Sequence, residues 1–279
     1  FQSWEILSGK GGQGSYFNPT FLSPNGETKL NGPSTQIITD KALHWLKKRN
    51  RQKPFLLCAQ YKVPHIHRLP LPEHMSGYDD YEFPVPETFF DDFSTRSPFV
   101  SKTWMALKGM KGHVLNMAPL ESELKADPKL RPPFLQEMTR TQRNAWHQAY
   151  DPRNTRYREL EKQGKLQGDE RNLYVYQRFI KDYVRCIDGL DDQIGRILHF
   201  LEKEDLAENT LLVYSSDQGF FTGEHGWAEK RWMYEESFKS PLLMRWPGVI
   251  EPGSVIEDLV QTIDLAPTFL QAASLDVPK

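Results

Sequence analysis

The chain has 279 residues, 38% of them apolar, with a net charge of -2. That length suffices for one large α/β domain or two small ones. The near-neutral charge disfavours a nucleic-acid partner, and no apolar run approaches bilayer-crossing length. The opening "FQSWEILSGKGGQG" has neither the basic start nor the apolar centre of a signal peptide. Two cysteines, Cys58 and Cys186, rule out a disulfide framework; both are expected to be buried core thiols, and they leave the compartment open.

In chain order, "GPSTQIITDKALHWLKKRN" predicts a helix from about Thr35 to Arg49. Ser34 is its N-cap, Ile38, Ala42, Trp45 and Leu46 lie at helical spacing, and Lys47, Lys48 and Arg49 make a cationic end. Pro54 then opens "PFLLCAQY", an apolar run of the kind a strand covered on both faces shows. From Val63 to Pro133, half of the twenty prolines fall in a stretch with no sustained period, and an irregular excursion is expected over about 64–168. Its aromatics, among them Tyr78, Tyr81, Phe83, Phe89, Phe90 and Phe93, favour ordered packing over disorder.

After Asp169 the pattern becomes regular. Leu173, Tyr176, Ile180, Tyr183, Ile187, Leu190, Ile194, Ile197 and Leu201 follow at steps of three and four, one face of a long helix. It hands over through "EDLAEN" to the strand-like "TLLVYSSD", which argues for α/β rather than a coiled coil. "PLLMRWPG" predicts another short buried strand, and "DLAPTFLQAA", capped by Asp264, a final helix. There is no internal repeat.

Two of the expected strands end in chemically capable residues. "FLLCAQY" delivers Lys62 and His65, and "TLLVYSS" delivers Asp217 and Gln218; in an open parallel sheet both clusters border one crevice. Asp217 and Gln218 offer hard oxygens suited to calcium or magnesium. Taken alone, a solvated Asp-Gln turn is the plainer reading of that pair. Gly219, Glu224, His225, Gly226 and Lys230 in the same connection shift the balance toward a site. Calcium takes six to eight oxygens, and this stretch supplies two or three. Lys230, beside Trp232 and Tyr234, is either an anion-binding ammonium or an ordinary surface lysine. His65 is either a hydrogen-bonded loop residue or a group able to protonate a departing alkoxide, and His225 is equally open. Lys62 is read as a flanking residue that adds to anion attraction.

With these residues in view, the chain resembles the type I sulfatases of the alkaline phosphatase superfamily. The likeness runs through "FQSWEILSGKGGQGSYFNP", "IITDKALHWL", "PFLLCAQYKVPHIH", "YQRFIKDYVRCIDGLDDQIGRIL", "NTLLVYSSDQGFFTGEHGWAEKRWMYEESFKSPLLMRWPG" and "VQTIDLAPTFL". "GQGSYFNP" and "YEESFKSPLLMRWPG" look most like bacterial N-acetylglucosamine-6-sulfatases. The resemblance implies an alkaline-phosphatase-like α/β sandwich, with a mostly parallel sheet and helices on both faces. It further implies that Asp217 and Gln218 ligate one calcium ion, Gln218 standing where many relatives have Asn or His. Lys230 matches the lysine that grips the sulfate, His65 the histidine that contacts it and protonates the leaving oxygen, and His225 a residue lining the substrate pocket. "PHIHRL" departs from the family at His67, where a proline or small polar residue is more usual.

The family's nucleophile is a formylglycine made in a C/S-x-P/A-x-R motif, and neither Cys58, followed by "AQYK", nor Cys186, followed by "IDGL", fits it. The resemblance therefore implies a fragment, residues 1–279 forming the central and C-terminal part of a catalytic domain, incomplete at both ends. The remaining calcium ligands would lie upstream, the smaller C-terminal subdomain would be absent, and no turnover is expected from this chain alone. The implied substrate is a sulfated carbohydrate of glycosaminoglycan or mucin type, and the implied compartment is periplasmic, secreted or, in a eukaryote, lysosomal. Two further readings stand beside it: a phosphodiesterase or phosphonate hydrolase of the same superfamily, and a non-catalytic binder of sulfated glycans.

Overall fold

The computed structural model describes residues 3–9, 13–110 and 115–278. Residues 1–2 and 10–12 of the first family-like stretch and residues 111–114 of the expected excursion lie outside them. Near the start, β1 (Ile6–Leu7), β2 (Thr20–Ser23) and β3 (Gly26–Lys29) form an antiparallel meander, with Phe21 opposite Thr28. Phe21 packs there on Ile37 and Ile38 of α1 (Ser34–Lys48). That helix buries Ile37, Ile38, Ala42 and Leu46, and Lys47 and Lys48 in its last turn complement the macrodipole. Ser34 is its first helical residue rather than its cap, because Pro33 occupies the N-cap without a side-chain bond.

"PFLLCAQY" departs from the expected two-sided strand. Phe55, Leu57, Ala59 and Tyr61 are half-buried while Leu56, Cys58 and Gln60 are exposed, and the segment joins no ladder among the described residues. Cys58 is accordingly an exposed thiol, not a core one. Its half-buried side is anchored on α1, with the Tyr61 hydroxyl 2.9 Å from the Thr39 hydroxyl and the Phe55 ring 6.2 Å from the Trp45 ring.

The excursion is less irregular than its prolines suggest. Among the described residues four 3-10 turns, α2 (Glu121–Ala126) and α3 (Pro133–Gln136) interrupt it, and α4 (Arg140–Lys162) crosses its end. The signal for α4 was a capping box: Thr139 Oγ1 accepts from the Gln142 amide, and Gln142 Oε1 accepts from the Thr139 amide. Trp146 and Tyr150, one turn apart and stacked at 4.8 Å, are its buried anchors. They were masked by a polar surround and by Pro152, which the helix tolerates.

Helix α5 (Gly168–Lys203) organises the rest. At 1.5 Å per residue it is about 54 Å long. Its N-terminal half buries Val175, Tyr176, Phe179 and Ile180 against Phe89, Leu107 and Ala228. Its middle places Cys186 and Leu190 against Trp146, Tyr150 and Tyr16. Between the two lies a buried polar knot. Asp182 accepts from Tyr150 Oη at 2.8 Å, Asn116 Nδ2 at 2.8 Å and Arg185 Nη1 at 2.7 Å. Three donors on one carboxylate satisfy a charge that would otherwise be costly at that depth.

Beyond α5, β4 (Leu212–Ser215) pairs antiparallel with β7 (Leu242–Arg245), Val213 opposite Met244. Between them lie β5 (Phe221–Thr222), β6 (Ala228–Glu229) and α6 (Glu235–Phe238). All ladders among the described residues are antiparallel, so the mostly parallel sheet is not formed by them. Strand β7 is not buried as expected either, since Leu243 is 65% exposed. The last helix, α7 (Leu265–Ala272), starts after Asp264, whose carboxylate accepts from the Gln261 amide rather than capping α7 itself.

Candidate active site

The turn after the extended segment is tightly tied. His65 N–H donates to the Lys62 carbonyl at 3.0 Å, Arg68 N–H donates to the His65 carbonyl at 2.9 Å, and Tyr16 Oη donates to that same carbonyl. His65 Nδ1 lies 3.0 Å from the Ile66 carbonyl. A carbonyl only accepts, so the neutral imidazole carries its proton on Nδ1 and keeps its lone pair at Nε2. Burial pushes the His65 pKa below its ordinary value, and the nearby Lys230 and Lys62 charges push the same way, against the Ile66 bond and Glu229.

Lys230 follows β6. Its ammonium stands 3.8 Å from Glu229 Oε2 and 5.6 Å above the Phe220 ring. Burial lowers its pKa, with Glu229 and Asp217 acting in the opposite sense and Arg231 and Arg68 reinforcing the fall. Lys62, over the Tyr16 ring at 5.3 Å, is lowered by burial too, with Lys230 as a contributing charge. His65, Lys62, Lys230 and Asp217 thus share one electrostatic neighbourhood, although 168 positions separate Lys62 from Lys230.

Asp217 lies on the open side of this neighbourhood. Its carboxylate is exposed and accepts from the Ser216 hydroxyl at 3.3 Å. The turn is set by Gly219: its amide donates to the Ser237 carbonyl at 2.9 Å, and a Cβ there would collide with the Glu236 carbonyl oxygen of α6. Only glycine lets Asp217 and Gln218 leave β4 at that angle. Their donor chemistry fits a hard cation, but the described residues contain no group of three or more His, Cys, Asp or Glu side chains able to hold a metal. The pair fits part of a coordination shell.

His225 is enclosed by its own partners. It is 8% exposed, its amide donates to Thr88 Oγ1 at 3.1 Å, and Nδ1 lies 2.7 Å from Asp91 Oδ2. Arg96 closes the group by pairing with the same carboxylate, while Tyr234 and Trp227 stand 5.1 and 5.6 Å from the ring. Glu236 Oε1 is 4.0 Å from Nε2. Lys230 is thus electrostatically coupled to His65 and to Asp217, while His225 occupies an aromatic cage of its own.

Two residues that no sequence pattern singled out are central. Arg68 is 1% exposed and its Nη1 lies 3.6 Å from Oε1 of Glu229, which is 3% exposed. Glu229 also holds a φ of +85°, a backbone region that costs a side-chain-bearing residue about 1–3 kcal/mol. Nothing in the linear pattern joins positions 68 and 229. Their only signal was adjacency to His65 and Lys230.

A family model described as Sulfatase matches residues 5–275. An N-acetylglucosamine-6-O-sulfatase of Bacteroides thetaiotaomicron is 36% identical over 280 residues, covering 100% of this chain and 50% of that protein. The chain thus spans half the length of that relative. A solved structure of BT4656 in complex with its substrate D-glucosamine-2-N, 6-O-disulfate superposes with a TM-score of 0.93 at 35% identity, over 100% of this chain and 56% of that one. A phosphonate monoester hydrolase from Silicibacter pomeroyi, covering 88% of this chain and 38% of its own, matches with a TM-score of 0.52 at 19% identity, a likeness of fold alone. With the fold of the alkaline-phosphatase-like sulfatases and a family match along almost its whole length, the chain belongs to the sulfatase family.

Proposed function

We propose that this chain forms part of the catalytic domain of a sulfuric ester hydrolase acting on N-acetylglucosamine 6-sulfate or a closely related sulfated amino sugar of glycosaminoglycans or mucins. The observation that carries the reading is that Lys230 acts electrostatically on His65 and is itself acted on by Asp217, so an imidazole, an ammonium and an oxygen donor from distant parts of the chain are coupled through one lysine. The relative's name and the ligand of the solved structure support the choice of sugar.

In this reading Lys230 binds the sulfate and neutralises charge that develops on it. Its half-buried position beside the Phe220 ring reduces screening of that interaction. His65 presents Nε2 to the ester oxygen. Burial favours the neutral imidazole, and a bound anion favours imidazolium, so substrate charges the acid that the leaving sugar oxygen then needs. Lys62 adds attraction for the anion. Asp217 and Gln218 would supply oxygens to one calcium ion, which when bound polarises the sulfate oxygens. His225 contributes at most its Nε2 edge to the pocket wall, on the side of Glu236.

Attack on sulfur is assigned to a formylglycine hydrate, a chemistry that neither cysteine here offers. Cys58 is exposed on an unpaired segment, and burial holds the Cys186 thiol pKa well above its ordinary value, so it stays an inert core group. The working compartment in this reading is periplasmic or extracellular. Calorimetric titration of the purified chain with N-acetylglucosamine 6-sulfate tests the proposal. Expected are binding about tenfold tighter than for the unsulfated sugar, loss of that preference in Lys230→Ala, and no turnover. Equal affinity for both sugars would sink it.

A further inference from the structure

Glu229 is a buried carboxylate that divides its two oxygens between two cations. Oε1 faces Arg68 Nη1 at 3.6 Å and Oε2 faces Lys230 Nζ at 3.8 Å. Oε1 accepts no hydrogen bond among the described residues, so what compensates this carboxylate is charge. Arg68 belongs to the turn that presents His65, and its position is fixed from three sides. Its amide bonds the His65 carbonyl at 2.9 Å, its own carbonyl accepts from Asn116 Nδ2 at 3.0 Å, and its guanidinium lies 4.9 Å over the Phe179 ring of α5. Glu229 is held just as firmly at the other end. It pairs with Phe221 across β5 and β6, and the preceding Ala228 amide bonds the Met105 carbonyl at 3.0 Å.

Two rigid supports therefore meet at this carboxylate, one carrying His65 and the other Lys230. At Lys230 its negative charge opposes the like charges of Arg68 and Arg231. A left-handed backbone at position 229 would suit glycine, and the chain keeps a glutamate there instead.

We infer that Glu229 is a positioning residue: with Arg68 it forms an internal clamp that sets the Lys230 ammonium at a fixed place relative to His65, so that the two meet opposite oxygens of one bound oxyanion. The clamp rests on the sulfatase reading for its purpose, but its geometry stands independently of that reading.

The test compares the chain with Glu229→Gln and with the double variant Arg68→Met/Glu229→Gln. Thermal unfolding is one readout; the other is the NMR resonances of the His65 ring and the Lys230 side chain, recorded with and without inorganic sulfate. Glu229→Gln removes the negative charge that both Arg68 and Lys230 face, so it should melt below the parent, and the double variant should recover part of the loss. A clamp predicts that the recovered double variant still shows displaced Lys230 and His65 resonances without sulfate, and binds sulfate about tenfold more weakly. Parent-like resonances and parent-like sulfate affinity in that variant would reduce the pair to core packing and overturn the inference. If the parent itself shows no sulfate response at these two residues, the sulfatase reading is what fails, and displacement of the sulfate-free resonances still decides for or against the clamp. Should the double variant not fold, Glu229→Asp keeps the charge but shortens its reach by one methylene: displaced resonances then support the clamp, and parent-like ones overturn it.

Discussion

Asp217 and His225 stand eight residues apart in one connection, and the fold treats them in opposite ways. His225 is enclosed: Asp91 holds its Nδ1, Thr88 its amide, and Tyr234 and Trp227 its ring. Asp217 is exposed, with a serine hydroxyl from its own turn as its nearest described hydrogen-bond partner. A side chain saturated by its own fold contributes shape and stability, whereas a carboxylate left facing outward retains its capacity for an external cation. The same contrast separates α5, whose face buries residue after residue, from the later stretch where Val255, Ile256 and Leu259 are 84%, 77% and 101% exposed.

The comparison can be broken by substitution. The largest effect is expected from Trp227→Ala, because this 1%-exposed indole stacks on Phe93 at 5.2 Å and walls the His225 cage. A loss of about 3–5 kcal/mol in urea unfolding is expected. Asp91→Ala comes next. It strands the His225 imidazole and the Arg96 guanidinium, at about 1–3 kcal/mol by the same measurement.

A smaller effect concerns His65. Its folded pKa is depressed by burial, so its contribution to stability is present above its ordinary value and is lost as pH falls through the folded value. Unfolding curves should therefore show the parent losing more stability than His65→Gln as pH drops below about 6.5. Equal slopes would remove His65 from the half-buried neighbourhood described above. The smallest stability effect belongs to Asp217→Ala, expected within about 0.5 kcal/mol of the parent. Calcium binding by calorimetry should nonetheless disappear in that variant, and its persistence would detach Asp217 from any cation site.

Local patterns were legible where a single element decides burial. The period of α5 reads directly from Tyr176, Ile180 and Leu190, since one helix face meets the core whatever its neighbours are. The α4 helix was hidden because its buried residues include two apolar anchors, Trp146 and Tyr150, in a polar run, although Thr139 and Gln142 spelled its start. The extended segment through Cys58 showed its apolar character but not its exposure, because whether a strand is covered depends on partners elsewhere in the chain.

For the site, sequence alone determined the chemical types: oxygen donors at Asp217 and Gln218, an imidazole at His65, an ammonium at Lys230, and a glycine that turns the chain between strand and helix. Residue type sets donor strength and charge, and those are properties of a side chain wherever it stands. Tertiary structure decided which of them meet. It enclosed His225, left Asp217 open, and joined Arg68 to Glu229 across 161 positions. Electrostatic coupling and desolvation depend on distance through space, and folding alone creates that distance.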